Sequence, residues 1–380
     1  MKVVIAIDSF KGSLSSMQAG NAAKEGVLSV YPQADIVVKP LADGGEGTLE
    51  ALADGLNGSL QTAAVTGPLG EIVQAQYALL PSIGTAVLEM AQAAGLPQVP
   101  VELRDPRKTS TYGLGELIKL AIEQGYRHFV VGIGGSATND AGIGMLQALG
   151  FEFLDAQGRA VSGVGGELIN IATINMDSAM PELSACTFKI ACDVNNPLFG
   201  SNGAAYIYGP QKGATPEIVR ELDAGLQHFA GIVHQTLGKD VAHTAGAGAA
   251  GGLGYAFMAF LNGQLESGIT LILEEIGLQA VLDGADFVLT GEGRLDGQTA
   301  MGKAPLGVAK LAKKHGAKVI ALAGCTTDDA VKCNTEGIDA YFAVVNAAMS
   351  LQEAMREDVA YNNVVQTSRQ VFNLIKSLEK

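Results

Sequence analysis

Short runs of β-branched residues, each bounded by glycine or aspartate, alternate with helix-length segments at both ends of the chain, the pattern of βαβ units. Near the N-terminus the runs are VVIAI at 3–7 and DIVVKP at 35–40. Toward the C-terminus they are DFVLT at 286–290, KVIALAG at 318–324 and AYFAVV at 340–345, with a helix expected over 306–315. Continuous apolar runs predict strands covered on both faces. Together these five predict a parallel sheet whose sequence is interrupted in the middle.

The interior follows another rhythm. LQTAAVTG, IVQAQYALL and TAVLEMA, within 60–91, alternate polar and apolar residues and are separated by the turns Pro68-Leu69-Gly70 and Pro81-Ser82, which predicts antiparallel pairing. Further strands are expected in HFVVGIGG at 128–135 and TFKIACD at 187–193, with a helix running to Leu149 and a buried one after Gly254. The fold class predicted is α/β in two domains. An open parallel sheet built from both termini, 1–64 and 282–380, receives an inserted mixed α/β domain, 65–281, and a ligand-binding cleft is expected at their junction.

Composition narrows the function. The chain has 380 residues, 48% hydrophobic and only 17% charged, against roughly 25% charged in a typical domain. It is globular, with a large interior. Its 39 acidic and 25 basic residues give a net charge of -14, which repels phosphate backbones and anionic lipid. Nucleic acid and membranes are therefore excluded as expected partners; small molecules remain, and a homo-oligomer is compatible with the sequence. Met1-Lys2 runs straight into a strand-like segment, so the expected location is cytoplasmic. Cys186, Cys192, Cys325 and Cys333 have neither C-x-x-C spacing nor nearby histidines, and are expected as free thiols.

In an open parallel sheet, ligands bind beyond the carboxyl ends of the strands, where strand order reverses. DSFKGSLS follows the first strand and carries Asp8, Ser9 and Lys11. PLADGGEGT follows the second and carries Asp43, Gly44, Gly45, Glu46 and Gly47, and TGEGRLDGQT follows the third with Glu292, Arg294 and Asp296. Glycines let backbone amides reach an anion, carboxylates hold a metal ion or take a proton, and Lys11 or Arg294 can neutralise phosphate or carboxylate. Singly, such residues read as turns and caps, Ser13 and Thr48 among them. A purely structural sheet, however, needs no carboxylate at every carboxyl-terminal edge.

The inserted region adds VVGIGGSATNDAGIGMLQALG, where Gly134, Gly135, Ser136, Thr138, Asn139 and Asp140 lie between a strand and a helix, a setting that favours anions. It also fits the dinucleotide fingerprint G-x-G-x-x-A at Gly132, Gly134 and Ala137, with Asp155 ending the next strand-like run. GAGAAGGLG, 246–254, repeats the arrangement, with close helix packing as the competing explanation. RDPRKTSTYG gathers Arg104, Arg107 and Lys108 before a helix expected at 113–123, and Asp193 after TFKIACD is a candidate magnesium ligand. The five histidines form no cluster.

GQTAMGKAP, 297–305, is one residue from a P-loop: Gly297, Gly302 and Lys303 fit G-x-x-x-x-G-K-[ST], but Ala304 replaces the magnesium-ligating hydroxyl and no strand directly precedes it. It is not expected to be a P-loop.

The ordered series DSFKGSLS, ADGGEGT, TGPLGE, RDPRKTSTYGLGELI, GIGGSATNDAGIGMLQALG, CDVNNPLFG, YGPQKGA, GAGAAGGLG, GITL and TGEGRLDGQTAMGKAPLGVA resembles the bacterial glycerate kinase family, the type without a P-loop. The resemblance implies a flavodoxin-like domain built from both termini, ATP as phosphoryl donor, and transfer to glycerate, usually at the 2-hydroxyl. Residue type and position then suggest roles for a phosphoryl transfer. Mg²⁺ bridges the ATP phosphates with Asp193 and Asp296 as ligands, Lys11 meets the transferring group, and Asp8 or Asp43 accepts the hydroxyl proton. Arg294 or Arg107 clamps the glycerate carboxylate, with Ser9 and Glu292 on the substrate side. Gly134, Gly135, Ser136, Thr138, Asn139 and Lys303 serve the nucleotide. The alternatives are phosphorylation at the 3-hydroxyl, a nicotinamide-dependent oxidoreductase acting on a small hydroxy acid, and a two-domain solute-binding protein.

Overall fold

The structure is a computed structural model that describes residues 1–44 and 47–379, so Gly45 and Glu46 lie outside the described residues. Along the chain its strands are β1 Lys2–Ile7, β2 Asp35–Pro40, β3 Ser59–Thr66, β4 Ile72–Leu80, β5 Thr85–Glu89, β6 His128–Gly132, β7 Glu152–Leu154, β8 Thr173–Asn175, β9 Thr187–Ala191, β10 Gln264–Glu266, β11 Phe287–Leu295, β12 Lys318–Thr326 and β13 Ala340–Ala343. The chain divides into two compact units, Met1–Gly58 with Ile269–Lys380, and Ser59–Gly268.

The first unit carries a five-stranded sheet ordered β13-β12-β11-β1-β2, parallel throughout. Val3 to Ile7 are each 0% exposed, because helices cover both faces and leave no solvated side to reward a polar alternation. Strand order reverses at β1: the chain steps to β2 on one side and later builds β11, β12 and β13 on the other. Helix Ser16–Leu28 opens with a capping box, the Ser15 hydroxyl accepting from Gln18 N–H while the Gln18 side chain accepts from Ser15 N–H. The cap is thus Ser15, not Ser13. This helix packs closely on helix Glu357–Leu378; a Cβ added to Gly26 would lie 2.5 Å from the Val365 carbonyl oxygen.

The second unit holds a six-stranded sheet ordered β10-β9-β6-β5-β4-β3. β3, β4 and β5 pair antiparallel, as their alternation predicted, and the remaining pairs are parallel. Its core is built around aromatic contacts such as the stacked Phe129 and Phe188, 4.9 Å apart, with Phe257 5.7 Å from Phe188. Phe257 belongs to the buried helical segment Ala249–Leu261.

The dinucleotide alternative fails here. It requires β7 beside β6, whereas β6 lies between β5 and β9 while β7 pairs antiparallel with β8 in a separate two-stranded sheet. Asp155, the supposed ribose acid, is occupied by Arg159 at 2.8 Å and by the Gln157 N–H at 2.9 Å. The four cysteines are free, and among the described residues no helix is long and apolar enough to cross a membrane.

Candidate active site

The carboxyl ends of β1 and β2 lie side by side next to the middle of β11 in the first unit, and the register sets Ile7 opposite Gly291 and Pro40. Asp8 therefore leaves β1 beside Glu292, and its own N–H donates to the Gly291 carbonyl at 2.9 Å. The Ser9 N–H donates to Asp8 Oδ1 at 2.6 Å. Burial pushes the Asp8 carboxyl up from 3.8 to about 7, with the charges of Asp43 and Glu292 adding to the rise and the Ser9 bond and Lys11 opposing it. Lys11 is exposed, in a tight turn that the Phe10 N–H closes onto the Leu14 carbonyl. The strand ends thus bring Asp8, Asp43, Glu292 and Lys11 into one electrostatic neighbourhood.

A residue that the sequence reading passed over holds this neighbourhood in place. The buried Ser16 hydroxyl donates to the Ile7 carbonyl at 2.7 Å and accepts from the Leu41 N–H at 2.8 Å, tying the exit of β1 to that of β2. A lone serine at the start of a helix gives no sequence signal beyond a cap.

β11 runs on to Leu295, five residues past the expected end at Thr290, so Glu292 and Arg294 lie within the strand and not after it. Glu292 accepts from the Thr299 hydroxyl at 2.5 Å. Asp296 Oδ1 accepts from the Gln298 N–H at 2.9 Å, and the Arg294 side chain, 65% exposed, reaches within 3.8 Å of Oδ2. Lys303 Nζ stands 4.0 Å from Glu292 and 3.8 Å from Asp296. Burial raises the Glu292 pKa, which Thr299 and Lys303 hold down and Asp296 and Asp43 push further up. A strand does end just before GQTAMGKAP, since β11 reaches Leu295, contrary to the expectation from the sequence. Gly297 to Gly302 make a turn with a short 3₁₀ segment, and Lys303 caps helix Ala304–Lys314 with its side chain turned to the acidic pair.

In the second unit, Gly134 and Gly135 are exposed after β6, and a Cβ added to Gly134 would meet nothing within 4 Å. Ser136, Thr138, Asn139 and Asp140 are buried behind them. The following helix, Ile143–Ala148, starts too late to aim its N-terminus at Gly134, and its cap is Gly142. What fixes the loop instead is Asp140, which accepts from the Thr111 N–H at 2.8 Å, the Thr111 hydroxyl at 2.7 Å and the Gly142 N–H at 3.2 Å. Burial raises the Asp140 pKa against these bonds. Lys212, which the sequence suggested only as part of a turn, is 2% exposed; its Nζ donates to Ser136 Oγ at 2.7 Å and to the Thr138 carbonyl at 2.6 Å.

The second glycine-rich loop is a packing device. Ala250, Gly251 and Gly252 take left-handed conformations, φ 52°, 68° and 93°; Gly251 lies against Thr138 and Asn139, and Gly252 against Ala141, itself at φ 50°. Arg107 is bound bidentately by Asp105, both contacts 2.9 Å, and also by Glu221 at 3.2 Å, so it is committed to its own unit's surface. Asp193 follows β9 and accepts from the Gly268 N–H at 3.1 Å. Asp193 and Asp296 belong to different units, and among the described residues no three His, Cys, Asp or Glu side chains group closely enough to hold a metal ion.

The sequence profile of the glycerate kinase family matches residues 3–376. A Haemophilus influenzae protein named glycerate kinase is 46% identical over 375 residues, 99% of each chain. An Escherichia coli K12 protein named glycerate 2-kinase is 46% identical over 98% of this chain and 97% of its own. A crystal structure from Salmonella typhimurium LT2 that carries the name glycerate kinase 2 superposes with a TM-score of 0.91 at 45% identity, covering 99% of this chain and 98% of that one.

Proposed function

The chain belongs to the glycerate kinase family, and we propose that it transfers the γ-phosphoryl group of ATP to the 2-hydroxyl of D-glycerate, giving 2-phosphoglycerate and ADP. The observation that carries this reading is the gathering of Asp8, Asp43 and Glu292 at the switch point of the parallel sheet, with the Asp8 pKa raised to about 7. A carboxylate whose pKa lies near the working pH is suited to accept a hydroxyl proton as the oxygen attacks phosphorus. Phosphoryl transfer asks little covalent chemistry of the protein; it asks for positioning and charge neutralisation.

In this reading Asp8 is the general base, and burial, with the charge of Asp43 adding to it, keeps its proton affinity high. Ser9 N–H orients the Asp8 carboxylate, and Lys11 draws charge from the transferring group. Arg294 takes the glycerate carboxylate in preference to Arg107, which Asp105 and Glu221 already hold, and Glu292 lies on the substrate side. Gly134, Gly135 and Ser136 take the nucleotide phosphates, with Thr138 and Asn139 behind them and Lys303 as a further cation for the nucleotide.

Magnesium completes the proposal, with Asp193 and Asp296 as carboxylate ligands. Their oxygens are the hard donors that Mg²⁺ prefers, and this ion commonly takes one or two carboxylates with phosphate and water rather than an all-protein cage. When bound it neutralises phosphate charge. The proposed setting is cytoplasmic, with small-molecule substrates.

The test is phosphorus NMR of the protein mixed with MgATP and D-glycerate, beside a control without glycerate. The expected result is glycerate-dependent ADP and a phosphomonoester signal coupled to one proton; a signal coupled to two protons gives the 3-phosphate instead. No new resonance overturns the glycerate reading.

A further inference from the structure

Lys212 ends a one-turn helix, Pro210–Lys212, and its ammonium group is buried against two neutral acceptors, Ser136 Oγ and the Thr138 carbonyl. An ammonium is costly to bury without a paired anion. Among the described residues, Asp140 is the one ionisable group whose charge acts on it, and that carboxylate is already engaged by Thr111 and the Gly142 N–H. Burial accordingly brings the Lys212 pKa down from 10.5 to about 7, with Asp140 opposing the fall. Beside it the Thr138 hydroxyl and both polar atoms of the Asn139 amide are buried without a hydrogen-bond partner, where most buried polar groups find one. So much unsatisfied polarity behind one exposed turn marks a place built for something other than stability.

The backbone of that turn is fixed: Leu96 N–H donates to the Gly135 carbonyl at 2.8 Å, and Ala137 N–H to the Ala94 carbonyl at 2.9 Å. Only the Ser136 hydroxyl hydrogen is left to rotate. While Lys212 is charged, it is donor only, so it claims the Ser136 oxygen as acceptor and the hydroxyl hydrogen must point away from it. A neutral Lys212 offers a lone pair that can accept that hydrogen.

We propose that Lys212 is a positioning residue for an anion-binding turn at Gly134–Ser136, its protonation deciding whether the Ser136 hydroxyl is presented as a donor to a phosphoryl oxygen. This inference rests on the reading that the turn takes the nucleotide phosphates. A bound anion favours the ammonium form, so binding draws one proton from solvent onto Lys212, and by linkage affinity falls as the pH rises.

The experiment is calorimetric titration with MgADP at about pH 7.5 and about pH 9, both above the second phosphate ionisation near 6. Buffers of different ionisation enthalpy count the protons exchanged. For the wild type, affinity is expected to fall about tenfold across this range, with net proton uptake. Ser136→Ala is expected to bind more weakly at the lower pH and to lose the slope. Lys212→Met is expected to bind weakly at both. If Ser136→Ala binds as tightly as the wild type at both pH values, the nucleotide reading of the turn fails. If Ser136→Ala weakens binding but the wild type shows no slope and no proton uptake, or the slope survives in Ser136→Ala, the inference about Lys212 is overturned while that reading stands. Should Lys212→Met not fold, the wild-type slope and Ser136→Ala still decide.

Discussion

The Ser16 hydroxyl accepts from the Leu41 N–H at 2.8 Å and, with its own hydrogen, donates to the Ile7 carbonyl at 2.7 Å. One side chain, 2% exposed, so joins the ends of two neighbouring strands just where Asp8 and Asp43 follow them. Ser16→Ala leaves a buried donor and a buried acceptor unsatisfied, each worth about 1–3 kcal/mol. Urea denaturation is expected to show a loss in that range, together with a fall in kcat. Unchanged stability shows that water replaces the hydroxyl at no cost.

Gly251 meets the Gly134–Asp140 loop from behind. Its φ is 68°, and an added Cβ would come within 2.0 Å of the Thr138 carbonyl oxygen, while the Gly251 carbonyl accepts from the Ala141 N–H at 3.0 Å. Gly251→Ala must either move the loop or unwind the left-handed segment. A loss of about 2 kcal/mol or more is expected, with weakened nucleotide binding, from the steric clash added to the left-handed penalty. Stability and MgADP affinity both at wild-type level sink this account of the interlock.

Asp8 makes a prediction with a definite sign. Its folded pKa of about 7 lies above its ordinary 3.8, so between these values the folded state holds a proton that the unfolded state has lost. Stability contributed by Asp8 is full below about pH 4 and declines as the pH rises through about 7, by a few kcal/mol at most. Activity runs the other way: as general base, Asp8 must be ionised, so kcat/KM is expected to rise with pH to a plateau above about 7. Asp8→Asn is expected to lose about 100- to 10,000-fold in kcat and to abolish the decline in stability. Retention of near wild-type turnover by Asp8→Asn removes Asp8 from the mechanism.

Lys303 lies about equally far from Glu292 and Asp296, at 4.0 and 3.8 Å. Replacing it by methionine keeps the stem and removes the charge, so Glu292 should hold its proton more tightly. The KM for ATP is expected to rise about tenfold, roughly the 1.5 kcal/mol of one charge-assisted contact, with kcat less affected and partial rescue by Lys303→Arg. An unchanged KM assigns Lys303 to the helix cap alone.

Sequence alone determined the parallel sheet. Runs such as Val3 to Ile7 are apolar at every position because helices cover both faces, and that requirement is written locally in residue type. The antiparallel strands within 59–89 were equally legible, from their alternation and their turns. Asp8 could be placed too, because it stands next to a recognisable strand and the rule that ligands gather at carboxyl ends is topological, whereas Glu292, expected past its strand, lies within β11.

What only the tertiary structure decided concerns partners far apart in the chain. Arg107 looked available for a carboxylate until Asp105 and Glu221 were seen to hold it, and GAGAAGGLG resembled an anion loop until its left-handed residues met Thr138, Asn139 and Ala141. Lys212 is the clearest case. A lysine between proline and glycine reads as a solvated turn, and its burial against Ser136, 76 positions earlier, depends on long-range packing that no local pattern records. Hydrophobic periodicity encodes which face is covered; the identity of what covers it is set by contacts between segments that do not know of each other until the chain is folded.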